Sequence, residues 1–256
     1  MDNIYHRDHV RTESPDVDEL TQFIRNNYII GLAFILFTLI LWLIFAASKW
    51  HPHKGLPFPI YFLVITVFLV MVTLNCIPKM ATCSPCKWIL AVIIVLCTTI
   101  AGCVIIDEVG ALNAFIVIVC VTVVIIVLNF SGSKCPQDFL PGGVCSTMLM
   151  ILLLLLLICV GIAQLTLKSR ELLHTFVSIL FIMVVIAILI QAQFNHGRLT
   201  VVEVSPPEHQ IICALTIYLH TMMFLFCICY FIQAETIRQR EISTTPEDNG
   251  FYTRNL

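Results

Sequence analysis

The sequence predicts an all-α membrane protein with seven transmembrane helices, and three observations carry that prediction. The first is composition: the 256 residues are 59% hydrophobic and only 12% charged, with a mean hydropathy of +0.96. Soluble domains carry roughly 25% charged residues, about twice this share. The second is length: seven apolar stretches approach or exceed the roughly 20 residues a helix needs to cross a bilayer. The third is where the charges fall. The 14 Lys and Arg and the 16 Asp and Glu all lie outside the interiors of those stretches. One charge at the bilayer centre costs on the order of 3 kcal/mol on insertion scales, so chance does not clear seven segments this thoroughly.

The stretches run in order along the chain. Asn26–Lys49 follows a polar start, and Leu56–Pro78 comes after the basic loop that holds Lys49 and Lys54. Trp88–Ile106 ends where Asp107 and Glu108 begin, and Ala111–Phe130 ends before Ser133 and Lys134. Ser146–Leu167 contains Met148–Val160, a nearly unbroken run of Leu, Ile, Met and Val. Leu172–Phe194 starts beyond Arg170 and Glu171, and Ile211–Gln233 stops before Glu235. A membrane β-barrel would alternate apolar and polar positions over about 10 residues, which Met148–Val160 does not. A secretory signal peptide has a basic start and a short apolar core. Here the first twenty residues hold six acidic side chains and the apolar run is too long, so the first span is expected to stay attached.

Three regions follow: a polar N-terminal tail, 1–22; a membrane domain, 23–234; and a polar C-terminal tail, 235–256. Ser243-Thr244-Thr245-Pro246 and Glu247-Asp248-Asn249-Gly250 are turn formers within that second tail. The loops are too short for an inserted globular domain, and no internal repeat is visible. Alternate loops give Arg7, Arg11, Arg25, Lys79, Lys87, Lys134 and Arg198 on the N-terminal side. Lys49, Lys54, Lys168, Arg170, Arg238, Arg240 and Arg254 fall on the other. Seven against seven leaves orientation open under the positive-inside rule. A net charge of −2 gives no reason to expect nucleic acid as a partner; the lipid bilayer is the expected one.

Short motifs recur across the spans. The first span opens Phe23-Ile24-Arg25-Asn26-Asn27-Tyr28; the fourth loop reads Ser133-Lys134, then Asp138-Phe139. Ser205-Pro206-Pro207-Glu208-His209 precedes the last span, which contains Ala214-Leu215-Thr216-Ile217-Tyr218-Leu219-His220. In order and spacing over about residues 20–233, the chain resembles the lifeguard branch of the transmembrane Bax-inhibitor-motif family. That family has FIRxxY, TKxDF, SPEEY and ALxLYLDIINLF at these places. The resemblance implies a cytosolic N-terminus and six helices around a central seventh. It implies residence in the endoplasmic reticulum, Golgi or plasma membrane. It further implies a passive, pH-sensitive calcium leak, with calcium as the transported ion, and modulation of apoptosis with cell-death regulatory membrane proteins as partners.

By that resemblance the leak is governed by two aspartates, one near the end of the sixth span and one in the seventh. The sixth-span motif YDTQL meets Ile190-Gln191-Ala192-Gln193-Phe194 here, and the aspartate of YLD falls on His220. Both pore and pH-sensor positions are therefore substituted. Two neighbouring carboxylates cannot both ionise easily, which makes one of them a proton-linked switch. Calcium is a hard cation that favours oxygen ligands and negative charge. Gln191 keeps an oxygen but neither charge nor titration, and His220 gains positive charge when protonated. A weak or altered leak is expected. The plainer alternatives are that Gln191 simply meets the membrane interface and that His220 faces a helix bundle or cavity without gating anything.

Cys213, Thr216, His220, Met223 and Cys227 share one face of the last span at helical spacing. They form either a cavity-facing stripe or a close-packed helix seam. Most of the twelve cysteines lie in spans as small apolar side chains. Cys83-Ser84-Pro85-Cys86 is a lone C-x-x-C pair, short of a zinc site. With Cys76 it suggests either palmitoylation or unreactive thiols. Asn129-Phe130-Ser131 fits a glycosylation sequon but sits at a span end and is expected to be unmodified. No H-E-x-x-H, G-x-S-x-G or phosphate loop occurs, so no catalytic site, metal site or cofactor is expected. Three function classes remain: a Bax-inhibitor-type calcium-leak protein, a nonconducting regulator on the same fold, and a seven-helix receptor. Short loops and the lack of an acidic-Arg-Tyr triplet after the third span speak against the receptor.

Overall fold

In a bilayer the backbone must satisfy its own hydrogen bonds, and uninterrupted apolar runs do so as helices. The computed structural model describes residues 17–48, 60–77, 80, 83–134, 143–195 and 210–244. Among these residues there are seven helices of span scale and no strand: α1 (Val17–Ser48), α2 (Ile60–Cys76), α3 (Ser84–Val109), α4 (Ala111–Lys134), α5 (Gly143–Leu167), α6 (Arg170–Asn195) and α7 (Gln210–Thr244). The chain is an all-α, multi-pass membrane protein. Six of the helices are long and apolar enough to cross a bilayer by themselves. The 17 residues of α2 rise roughly 26 Å, a little under the ~30 Å hydrocarbon core.

Packing contacts give the path of the chain. Thr38 meets Thr99, while Trp42, a turn further on, reaches Thr99 and would collide with any Cβ on Gly102. Helices α1 and α3 therefore run parallel, so the chain crosses the membrane between them and α2 makes that crossing. Gly31 faces Ala214 and Ile217, and Trp42 faces Phe226, which makes α1 parallel to α7 as well. The α6 contacts His174–Phe231 and Phe181–Phe224 run the opposite way. Gly132 of α4 lies on Leu189 and Ala192 near the end of α6, so the starts of α1, α3 and α7 share one end of the bundle with the ends of α4 and α6.

The last helix is the centre, as the resemblance implies, but the ring around it is uneven. Helices α1, α3, α4 and α6 pack directly on α7, whereas α2 lies mainly on α3 and α5 mainly on α6. Tyr218, Leu215, Met222 and Cys229 of α7 are buried together with Trp42, Leu74, Ile94 and Val184. Phe68, Leu152, Leu155 and Ile126 point outward. On a soluble protein such apolar exposure would mark an interface; on a membrane bundle it faces lipid.

Two helix limits differ from the sequence boundaries. Helix α1 begins at Val17, inside the expected tail 1–22, and α7 continues to Thr244, inside the expected tail 235–256. A helix satisfies its backbone in water as well as in lipid, so it need not stop at the end of an apolar run. Past its apolar run α7 carries an Arg238–Glu235 pair at 3.2 Å, and Gln239 donates to the same carboxylate. The joints are short. Gly110, at φ 85°, closes α3 by donating its N–H to Ile106 and separates it from α4 by itself. Lys168, at φ 48°, closes α5 against Gln164.

Candidate functional site

A polar side chain inside a membrane bundle needs a partner or a cavity, because lipid offers neither. Such side chains gather where α1, α4, α6 and α7 meet. Two glycines bring the helices close there. A Cβ on Gly132 would meet Ala192 Cβ and the Leu189 carbonyl at 2.9 Å, so α4 lies directly on α6. A Cβ on Gly31 would sit 3.3 Å from the Ala214 carbonyl, so α1 lies almost as close to α7.

Around these contacts Tyr28 donates its hydroxyl hydrogen to Asn129 Oδ1 at 3.2 Å. Asn129 Nδ2 in turn donates to the Ile125 carbonyl at 2.9 Å. Gln191 Nε2 donates to Asn195 Oδ1 at 2.9 Å. A small half-open cleft opens beside them, lined by Asn129, Ile188, Gln191, Ile217, His220 and Thr221. It has room for about one water molecule. Thr221 returns its hydroxyl to the Ile217 carbonyl at 2.8 Å. His220 Nδ1 is buried without a hydrogen-bond partner among the described residues. The same holds for both amide atoms of Asn27, for Asn195 Nδ2 and for Gln193 Nε2. An unmade buried hydrogen bond costs about 1–3 kcal/mol, so this end of the bundle is suited to a polar guest such as water.

A second polar cluster ties the bundle centre. Thr38 Oγ1 lies 3.1 Å from Thr99 Oγ1 and 2.9 Å from the Tyr218 hydroxyl. Trp42 Nε1 donates to the Thr99 carbonyl at 2.8 Å, and Thr99 Oγ1 donates to the Val95 carbonyl at 2.6 Å. This cluster joins α1, α3 and α7 by hydrogen bonds that are fully enclosed. Those bonds tie the three helices to one another at the bundle centre.

The structure brings Gln191 and His220, predicted from two separate helices, to one cleft. It does not bring the whole stripe there. Cys213 and Cys227 are buried in helix packing, Met223 packs against the core, and Thr216 turns its hydroxyl onto the Ile212 carbonyl. Of the stripe only His220 lines the cleft, and the others belong to a helix seam. Of the motif residues, Phe23 is buried, Ile24 half-buried, and Arg25 and Lys134 exposed. Tyr28 reaches Asn129, Tyr218 is the centre of the second cluster, and Leu219 packs on the core. Asp138, Phe139, Ser205, Pro206 and Glu208 lie outside the described residues.

In the sequence Asn27 stands only as part of the first-span motif, Asn195 and Thr221 carry no functional reading, and Asn129 reads only as part of a sequon. A polar residue within an apolar run was the available signal for each. Within the site, the groups at the cleft are amides, a hydroxyl and an imidazole, with no carboxylate. No group of three or more His, Cys, Asp or Glu suited to a metal ion occurs among the described residues. Comparison of the chain with family models, curated proteins and solved structures gives no match.

Proposed function

We propose that this chain is a divergent Bax-inhibitor-like protein of intracellular membranes. It takes part in calcium homeostasis and cell-death control, with a calcium leak weakened by loss of the acidic pair. The observation that supports the reading most is the meeting of Gln191 and His220 at one cleft. These are the two positions where the resemblance places the leak-controlling aspartates, and they come from helices α6 and α7. Their chemistry sets the expected behaviour. An amide and an imidazole offer calcium no negative charge. Protonating His220 adds a positive charge that repels the ion. On this reading the N-terminus is cytosolic and the membrane is that of the endoplasmic reticulum, Golgi or cell surface.

A second reading, a nonconducting regulator on the same fold, is favoured by the size of the cleft. A space for about one water between uncharged walls is a poor path for a hydrated divalent cation. Dye-reported calcium entry into proteoliposomes at several pH values separates the two. Wild type should give a weak flux without activation by carboxylate titration. The double variant Gln191→Asp with His220→Asp should raise the flux and make it proton-linked, and either substitution alone should do less. A large pH-activated flux from wild type would refute the proposed role of the substituted pair. Absence of flux from both proteins would favour the regulator.

A further inference from the structure

Seven of the described cysteines, Cys97, Cys103, Cys120, Cys159, Cys213, Cys227 and Cys229, lie inside spans. A thiolate there would lose its hydration, so those thiols are inert. Cys83 and Cys86 are placed differently. Cys83 is the N-cap of α3 and is exposed; Cys86 is the third helical residue and half-buried. The Cys83 carbonyl accepts the Lys87 N–H at 3.1 Å, which fixes the turn, and Pro85 stiffens it from within. Both thiols are free, and the Cys86 thiol lies within hydrogen-bond reach of Cys83. Residues three apart on a helix have Cβ atoms about 5–6 Å apart, a separation that a small rotation of the N-cap residue closes to disulfide distance. Helix α3 is packed firmly against α1, α2 and α7, so the pair stands on a rigid base at the membrane edge.

We propose that Cys83 and Cys86 form a reversible dithiol–disulfide couple that exchanges with small disulfides such as glutathione disulfide. The Cys83 thiolate attacks one sulfur of glutathione disulfide, forming a mixed disulfide and releasing one glutathione thiolate. The Cys86 thiolate then attacks the Cys83 sulfur of that mixed disulfide and releases the second glutathione. Two protein thiols are oxidised by two electrons, one glutathione disulfide is reduced to two glutathiones, and the protons from the thiols pass to the released thiolates or to water. Cys83 is the attacking residue because it is the exposed one of the pair. The couple stands independently of the calcium reading. On a cytosolic face it would rest reduced and oxidise under oxidative load; on a lumenal face it would rest oxidised.

The test uses the full chain in lipid nanodiscs, equilibrated in buffers of increasing glutathione disulfide over glutathione. It is then denatured and alkylated, and the thiols are counted by mass spectrometry. The twelve alkylatable cysteines should fall by two, with the loss confined to the peptide carrying Cys83 and Cys86. Cys86→Ser should stop at the first step and carry one glutathione on Cys83, a readout that does not require the disulfide to form. Retention of all twelve thiols at every ratio would overturn the proposal. So would a Cys86→Ser chain that takes up no glutathione, or a hydroxylamine-labile acyl group on Cys83 in protein purified from eukaryotic cells.

Discussion

Helices α5 and α7 have opposite relations to the bundle. Helix α5 contains the chain's longest run of leucines, yet only 6% of its span is buried by the rest of the protein, against 61% for α7. Helix α7 carries Thr216, Tyr218, His220 and Thr221 among its apolar residues. In water the more apolar helix would take the centre. In lipid, apolar side chains gain nothing by leaving the solvent, whereas polar groups must leave it. The centre therefore goes to the helix whose hydroxyls and imidazole need enclosing. Between these two helices, polarity and close packing go with the core position and uniform hydrophobicity with the outer wall.

The largest expected effect tests the α7 side of that comparison. Tyr218 is fully buried against Thr38 and Phe34. Tyr218→Ala would open a cavity and break the hydroxyl bond, and it should cost about 3 kcal/mol of stability in reversible unfolding from mild detergent. Tyr218→Phe keeps the ring and removes only the hydroxyl's hydrogen bonds to Thr38 and the Val95 carbonyl, so about 1 kcal/mol is expected. Equal losses from the two variants would mean that the hydrogen bond, and not the packing, holds α7 in place.

How much of this was legible in the sequence follows from the same physics. Apolar length and charge clearance marked the spans, because both are set by the bilayer and not by the neighbouring helices. The central position of α7 was expected only through the resemblance, since no rule of hydropathy selects it. The sequence points to Gln191 and His220 individually, but their meeting depends on the antiparallel packing of α6 on α7, which residue spacing on one helix does not encode. Asn27 and Asn195 are not legible as site residues in the sequence, because an Asn near a span end reads equally well as an interfacial residue. The stripe through Cys213 and Cys227 follows helical periodicity correctly, yet periodicity gives a face and not what the face meets. That face meets other helices.

Glycine substitutions sharpen the comparison at smaller amplitude. A Cβ on Gly102 of α3 would overlap the Trp42 ring, which is itself fixed by its bond to the Thr99 carbonyl, and would stand 3.1 Å from Phe226. Gly102→Ala should therefore destabilise by about 1–3 kcal/mol. A Cβ on Gly161 of α5 would meet only the edge of the Phe176 ring, at 3.2 Å. That ring can tilt, and alanine is favoured over glycine in a helix by roughly 1 kcal/mol. Gly161→Ala should be neutral or slightly stabilising. Thermal unfolding of both variants in one detergent checks the pair, and a Gly161→Ala loss as large as that of Gly102→Ala would show that α5 is packed as tightly as the centre.

The smallest expected effect falls on the outer wall. Leu155 lies midway along α5 and is 55% exposed, beside Leu152 and Ile158 on the same outward side. Leu155→Ala removes contact with lipid, not with protein, and leaves no cavity for neighbouring helices to lose packing around. Alanine and leucine are both good helix formers, and the remaining leucines keep the segment apolar enough to insert. The expected change in unfolding free energy is within about 0.5 kcal/mol, with unchanged membrane insertion by protease protection. A loss above about 1 kcal/mol would break the comparison. A lipid contact cannot supply that much, so the outer face of α5 would have to be covered by protein in the membrane. The same variant run by size-exclusion chromatography with light scattering would then show whether the covering protein is a second copy of the chain.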